Sequence, residues 1–234
     1  MKLLGVGGSK RKHSNSKWML EKFLDFPENK SVTKEILLLK DYKIEYCIGC
    51  DECKDNGGNC VIKTDDMWDI YPKLLTADVI ILSSPNYFKN ISALMKNFMD
   101  RTNSFVRTDP RLLKNKYAVG LSVGGEELQD TRHCEDAMLR YFRGHKMNTL
   151  VTINARADKP NSIINNKELE KSLHSIGKLI SLGIYDNMFL QIPVQSQARA
   201  RARVIHHACL EEVFQELIVC DASTRLYLYY GFHL

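Results

Sequence analysis

The sequence predicts an α/β domain whose core is a doubly wound, five-stranded parallel sheet with helices on both faces. Three observations predict it. Short apolar segments alternate with amphipathic, helix-like segments five times along the chain. The clearest of the apolar segments, Asp78–Ser83 (DVIILS), is apolar without alternation, as a strand buried on both faces must be. Two others run straight into glycine pairs, Gly7-Gly8 and Gly124-Gly125, which punctuate strand ends.

Taken in order, Lys2–Gly7 is the first strand, closed by Gly7-Gly8-Ser9. Asn15–Phe26 places Trp18, Met19, Leu20, Phe23 and Leu24 at helical spacing, and Pro27 stops it. Lys34–Leu39 (KEILLL) is the second strand, and a cysteine-rich stretch replaces the short loop expected after it. Asp65-Asp66 can cap a helix through about Leu75, with Met67, Ile70, Leu74 and Leu75 inward. Asp78–Ser83 is the third strand, Ile91–Phe105 a helix, Tyr117–Val123 the fourth strand and Leu128–Gly144 a helix. Thr149–Ile153 is the fifth strand. Lys167–Leu182 is a last helix with Leu169, Leu173, Ile176, Leu179 and Ile180 on one face. In such sheets ligands sit beyond the carboxyl ends of the strands. The loops after strands one, three and four are therefore the informative ones.

Bulk composition agrees with a real core and excludes several classes. Of 234 residues, 44% are hydrophobic and 26% charged, as in ordinary globular proteins. No apolar run approaches the roughly 18 residues that a membrane-spanning helix needs. At the N-terminus the apolar run is only Leu3–Val6, with Lys10, Arg11 and Lys12 after it, the reverse of an export signal. The expectation is a cytoplasmic protein without a membrane partner. The net charge of +5 (33 basic, 28 acidic) is mild, does not by itself point to nucleic acid, which is not an expected partner, and is compatible with anionic ligands such as phosphates. Four of the seven cysteines lie in residues 47–60, while Cys134, Cys209 and Cys220 are scattered. An odd total and no export signal speak against a disulfide framework and for metal or redox work.

The stretch Gly7-Gly8-Ser9-Lys10-Arg11-Lys12-His13-Ser14-Asn15-Ser16 brings hydroxyls, an amide and an Arg to a helix N-terminus. Backbone N–H groups and the helix dipole favour a bound anion there. It is neither a Walker loop nor a full GxGxxG fingerprint. A polar turn with Ser14 or Asn15 as N-cap fits the same residues. Cys47-Ile-Gly-Cys50-Asp-Glu-Cys53, with Cys60 following, is the sharpest signal in the chain. Gly49, Gly57 and Gly58 permit the tight backbone that wrapping a small inorganic core requires. The spacing is closer to ferredoxin-type iron–sulfur runs than to zinc sites, whose paired units lie a dozen or more residues apart. A zinc site and a structural or redox thiol cluster stay open beside it. Tyr87-Phe88 after the third strand can pack on a flat ring, or into the core or a subunit contact.

Four segments in this order resemble the NADPH-dependent FMN reductase superfamily. GGSKRKHSNS resembles its GSPRxxxNT loop. CIGCDECKDNGGNCVIKTDDM resembles the cysteine segment of its iron–sulfur flavoprotein branch, and SSPNYFKNISALMKNFMDR and LSVGGEE resemble the segments around its third and fourth strands. The resemblance covers roughly residues 1–185. It implies a flavodoxin-like fold, FMN on the carboxyl edge, a [4Fe–4S] cluster on Cys47, Cys50, Cys53 and Cys60, and NAD(P)H as a possible electron donor. It implies phosphate contacts from Ser9, Arg11, Ser14, Asn15 and Ser16. Pro85, Asn86, Tyr87 and Phe88 would lie along the isoalloxazine ring, with Gly124 and Gly125 in the other ring-side loop. No catalytic acid or base is implied. Three positions depart from the pattern: Lys10 stands where proline is usual, Asn86 where an aliphatic residue is usual, and Lys89 where glycine is usual. Partners would be small-molecule or protein electron donors and acceptors.

From about Gln191 the resemblance stops. Residues 186–234 read as a C-terminal extension, with Ala-Arg-Ala-Arg-Ala-Arg at 198–203, an amphipathic stretch at Cys209–Val219 and an aromatic ending, LYLYYGF. The basic run fits a solvated arm better than a nucleic-acid contact. An aromatic ending and an exposed cysteine loop both need shelter, so a homodimer or homotetramer is expected.

Overall fold

The structure is a computed structural model that describes residues 1–26, 31–125 and 132–183, together with the backbone of strand Thr224–Leu228. Five strands run parallel in the order β2(Thr33–Leu38)–β1(Lys2–Gly7)–β3(Val79–Tyr87)–β5(Tyr117–Gly124)–β6(Asn148–Arg156). Counting only these, the order is 2-1-3-4-5, the flavodoxin-like arrangement. The expectation of five strands is exceeded in two places. β4(Asn90–Ile91) folds back antiparallel on the end of β3, and β7(Thr224–Leu228) adds an antiparallel strand to β6. The extension thus contributes a strand to the main sheet, while the basic run and the Cys209–Val219 stretch lie outside the described residues.

Helices cover both faces, and the alternation along each strand decides which residues they meet. α1(Asn15–Leu24) and α6(Lys167–Ser181) cover one face. Met19, Leu20, Phe23, Leu173, Ile176 and Ile180 pack there on Leu3, Val79, Ile81, Val119 and Ile153. α2(Met67–Thr76), α3(Ala93–Arg101), α4(Asn103–Val106) and α5(Arg132–Gly144) cover the other. Ile70, Leu74, Met95, Phe98, Met138 and Phe142 pack there on Leu4, Val6, Ile80, Leu82 and Ala118. Each such side chain, fully buried, is worth about 1.5–3 kcal/mol, so either face alone outweighs any single surface contact. Among the described residues no helix is long and apolar enough to cross a membrane.

Two local expectations are corrected. Leu75 was expected inward but is 40% exposed, because Met67, Ile70, Tyr71 and Leu74 complete the buried stripe and Leu75 falls at its edge in the last turn. Ile91 was expected to open a helix but pairs with Asn86 in the β3–β4 hairpin. The helix instead begins after Ser92, whose hydroxyl accepts the Met95 N–H at 3.1 Å.

α1 and α6 meet at Gly177, where an added Cβ would stand 1.9 Å from the Phe23 carbonyl oxygen. That oxygen is backbone and cannot step aside. Gly177→Ala should therefore cost at least about 2 kcal/mol in urea unfolding. Gly144→Ala, where nothing lies within 4 Å, should cost close to nothing. A second prediction concerns acid. His145 is buried beside the Tyr141 ring, 4.4 Å between centroids, with its Nε2 3.4 Å from the Thr102 hydroxyl and its Nδ1 unpartnered. Burial, assisted by the Arg111 charge, pushes its pKa down to about 4 from 6.5. The unfolded chain takes up this proton near 6.5 and the folded chain only near 4. His145 therefore contributes its full stability above the unfolded value and loses it as pH falls between the two. The loss is on the order of 3 kcal/mol by pH 4. His145→Gln should flatten that part of the profile, and an unchanged slope would refute the assignment.

Candidate functional site

All five parallel strands point their carboxyl ends to one edge, and every candidate residue lies at a strand end there or in the segment that follows it. After β1, the Gly8 N–H donates to the Ser83 carbonyl at 2.8 Å, and the Gly8 carbonyl accepts from the Ser92 hydroxyl at 2.5 Å. A Cβ on Gly8 would stand 2.9 Å from that of Met95, so the loop is threaded tightly between β3 and α3. Ser9, Ser14, Asn15 and Ser16 are buried, whereas Lys10, Arg11, Lys12 and His13 are exposed. Ser14 is the N-cap of α1: its hydroxyl accepts the Lys17 N–H at 3.2 Å and lies 3.0 Å from that of Ser16. The first turn of α1 carries no acidic residue, which leaves the positive end of its dipole uncancelled. Ser9 Oγ accepts the Arg11 N–H at 3.3 Å and keeps its own proton to give. Asn15 donates to the Lys159 carbonyl at 2.8 Å, which ties the loop after β6 to the loop after β1, and its Oδ1 is buried without a partner.

β3 extends past its expected end at Ser83 to Tyr87, with Pro85 in register with Val123. Phe88 and Lys89 form the two-residue turn of the β3–β4 hairpin with φ of +52° and +59°. Such turns favour Asn-Gly, which accounts for glycine being usual at position 89 and makes Lys89 a strained choice. Phe88 is fully exposed at the tip, and Tyr87 lies under the Arg11 guanidinium at 5.3 Å from its ring centroid. Asn86 packs on Gly124, where a Cβ would stand 2.9 Å from that of Asn86, and Asn86 Oδ1 is a second buried acceptor without a partner. Gly125 follows at the surface, beside Asp158. Phosphate-loop and ring-loop residues are thus brought together on one edge.

Beneath the edge runs a polar layer that the sequence did not reveal. Ser122 Oγ donates to Asn154, Asn154 Nδ2 donates to Glu135 at 2.8 Å, and Thr152 donates to Glu135 at 2.5 Å. Ser84 accepts the Ser92 N–H at 3.0 Å. These bonds tie the ends of β5 and β6 to α5 and the end of β3 to the start of α3. Cys134 sits in this layer with its thiol pushed up to about 12 by burial, so it is inert. Cys209 and Cys220 lie outside the described residues.

The cysteine loop leaves β2 through a short 3₁₀ turn at Leu39–Asp41 and returns at α2. Gly49, Asp51, Gly57 and Gly58 all take the left-handed backbone. Gly58 lies so close to Thr108 that a Cβ would meet its methyl at 2.5 Å. Cys47 and Cys50 are exposed and Cys53 and Cys60 half-buried, all as free thiols. Burial is the main cause that pushes the Cys53 thiol up, with Cys60 and Cys50 close enough to add to it. As they stand, the sulfurs do not converge: among the described residues no three His, Cys, Asp or Glu side chains are grouped to hold one ion. The donor set suits a thiolate-bound group.

The loop's neck is the best-fixed part of it. Asp65 and Arg101 pair with both side chains fully buried. Asp65, expected only as a helix cap, accepts the Glu45 N–H at 2.8 Å and the Met67 N–H at 3.3 Å, while Asp66 accepts the Lys43 N–H at 2.6 Å instead of capping α2. Asn97 donates to the Ile44 carbonyl at 2.8 Å and Trp68 to that of Ile62 at 2.8 Å. Removing one partner of such a buried pair costs about 3–5 kcal/mol, because the other charge is left uncompensated. Sequence reasoning missed Arg101. The signal available was its place at the end of KNFMDR, on a helix whose Met95 and Phe98 already mark the buried side.

Comparison with known proteins agrees with this fold. An iron–sulfur flavoprotein of Archaeoglobus fulgidus is 36% identical over 131 residues, which is 54% of this chain and 63% of that protein. This chain therefore spans less than two thirds of that relative's length. An iron–sulfur flavoprotein of Methanocaldococcus jannaschii is 36% identical over 147 residues, 63% of this chain and 74% of that protein. Among solved structures, a flavone reductase superposes with a TM-score of 0.61 at 22% identity, covering 82% of this chain and 66% of that one. An NAD(P)H:quinone oxidoreductase from Methanothermobacter marburgensis does so with a TM-score of 0.59 at 14% identity, covering 77% and 98%. At these identities the two structures speak for the fold alone. The sequence profile described as NADPH-dependent FMN reductase matches residues 1–159, well over half of the chain, and the chain belongs to that family.

Proposed function

We propose that this chain is an FMN-dependent oxidoreductase that carries electrons, with FMN on the carboxyl edge and a [4Fe–4S] cluster on Cys47, Cys50, Cys53 and Cys60. One observation carries the FMN part. Two buried amide oxygens without partners, Asn15 Oδ1 and Asn86 Oδ1, stand in the two loops that the family resemblance assigns to FMN. A buried polar atom without a partner costs about 1–3 kcal/mol, so each calls for a donor. Ribityl hydroxyls and flavin ring N–H groups are donors of that kind. The hydroxyl-rich turn at the start of α1 suits the phosphate. Because Ser14 is occupied as N-cap and Ser16 lies against it, Ser9 and the helix N–H groups have most capacity left for phosphate. Bound FMN would supply the exchange of one or two electrons, and a cluster would supply single-electron steps. The chain's share is to bind, orient and shield, with Asn86 and Tyr87 and the adjoining Gly124 and Gly125 along the ring. NAD(P)H as donor is taken from the family, and the acceptor would be a small molecule or a protein. Copies of the chain would assemble as a homodimer or homotetramer, covering the exposed Tyr46, Ile48 and Phe88.

A second reading is favoured by one observation, the lack of convergence of the cysteine sulfurs. In it the chain is a cluster-free NAD(P)H-dependent reductase of FMN or quinones, and the thiols are structural or redox-active.

Replacing Ser9 and Asn15 together with alanine should release flavin during desalting, read as flavin absorbance per chain. Undiminished flavin would refute the placement. Cys50→Ala should abolish iron binding with flavin retained, and transfer to a one-electron acceptor should then fall far more than flavin reduction by dithionite. Unchanged transfer after loss of iron would favour the cluster-free reading. Light scattering at micromolar concentration should give a multiple of the monomer mass, and a monomeric mass would contradict the assembly.

A further inference from the structure

Arg101 does more than balance a charge. Its Nη1 donates to the Glu45 carbonyl at 2.8 Å and its Nη2 to the Ile62 carbonyl at 3.3 Å, in addition to the pair with Asp65. Glu45 lies two residues before Cys47 and Ile62 two residues after Cys60. One guanidinium therefore bonds both strands of the loop at its neck. Asp65 completes the clamp by accepting the Glu45 N–H, so Glu45 is held through both its carbonyl and its amide. The side chain is fully buried, its Nε has no partner, and Cys60 lies within its electrostatic reach.

A buried ion pair is a poor device for stability alone, since apolar side chains of the same volume hold a core at least as well. What apolar side chains cannot supply is a rigid fork of donors that spans two backbone strands, or a fixed charge. Both properties matter at this place. The loop has little apolar burial of its own: Cys47, Cys50, Tyr46 and Ile48 are all exposed. Four thiolates on a metal core also make a net negative group, which a nearby buried cation offsets.

We propose that Arg101 is the positioning residue of the cysteine loop, clamping its neck in register before any metal arrives and setting a fixed positive charge beside Cys60. The charge half rests on the reading of the cysteines as cluster ligands; the neck half does not.

Hydrogen exchange on the metal-free full chain tests the neck. In Arg101→Lys, which keeps the charge but loses the fork, the Glu45 amide should exchange about tenfold faster or more, with β1 and β3 amides unchanged. Because Arg101→Gln leaves Asp65 buried and alone, the paired change Asp65→Asn/Arg101→Gln is the second variant and should show the same local loss. Native-like exchange at Glu45 in both overturns the clamp. The reduction potential after anaerobic reconstitution with ferrous iron and sulfide tests the charge. Arg101→Lys should keep the native potential and Arg101→Gln should shift it to more negative values, a split that a merely structural role would not produce. Equal potentials in native, Lys and Gln chains overturn the charge half. A native chain that takes up no iron overturns both the cluster reading and the charge half, while the clamp still stands or falls on exchange.

Discussion

The constraint on which the rest depends is the shared direction of five strands. Because β2, β1, β3, β5 and β6 are parallel, each is joined to the next by a crossover, and all five carboxyl ends open on one edge. Loops far apart in sequence thereby become neighbours: Asn15 reaches the carbonyl of Lys159, Ser92 reaches that of Gly8, and Arg11 lies over Tyr87. The cysteine loop leaves β2 at the same edge. Close approach is bought with small residues, Gly8 under Met95 and Gly124 under Asn86, where a Cβ would collide. The polar layer of Ser122, Asn154, Thr152 and Glu135 then holds the strand ends in fixed relation beneath the site.

Most of this architecture was legible in the sequence because fully buried parallel strands leave a mark that needs no context. DVIILS reads as a buried strand, and the apolar stripes of α1 and α6 match their buried faces closely. What escaped notice depends on contacts between distant residues. Nothing in Tyr-Phe-Lys-Asn announces a tight hairpin, since neither Phe88 nor Lys89 is a residue that left-handed turns select. The edge strand at 224–228 is fixed by pairing with β6, not by its own pattern. Leu75 was misjudged because a helix end carries its stripe only approximately.

The site was legible unevenly for the same reason. Ser9, Ser14, Asn15 and Ser16 announced themselves by clustering at a helix start, and the four cysteines by spacing. Arg101 and Asp65 did not, because a charged residue at a helix end reads as surface until the loop it clamps is seen to cover it. The roles within the clusters also needed the structure. Ser14 proves to be committed to capping α1, while Asn15 and Asn86 present acceptors that no other described residue satisfies. The cysteine loop has a neck held by Arg101 and Asp65, while at its tip no three ligand side chains are grouped among the described residues.

The central claim is that one edge of this sheet holds a flavin with an iron–sulfur centre in the adjoining loop. An absorption spectrum of the native chain purified without oxygen, with flavin, iron and acid-labile sulfide determined on the same sample, tests it most directly. The account predicts flavin bands on a broad iron–sulfur background, with about one FMN and about four iron atoms per chain. A protein that binds neither group, and gains neither when FMN, ferrous iron and sulfide are offered, would contradict it.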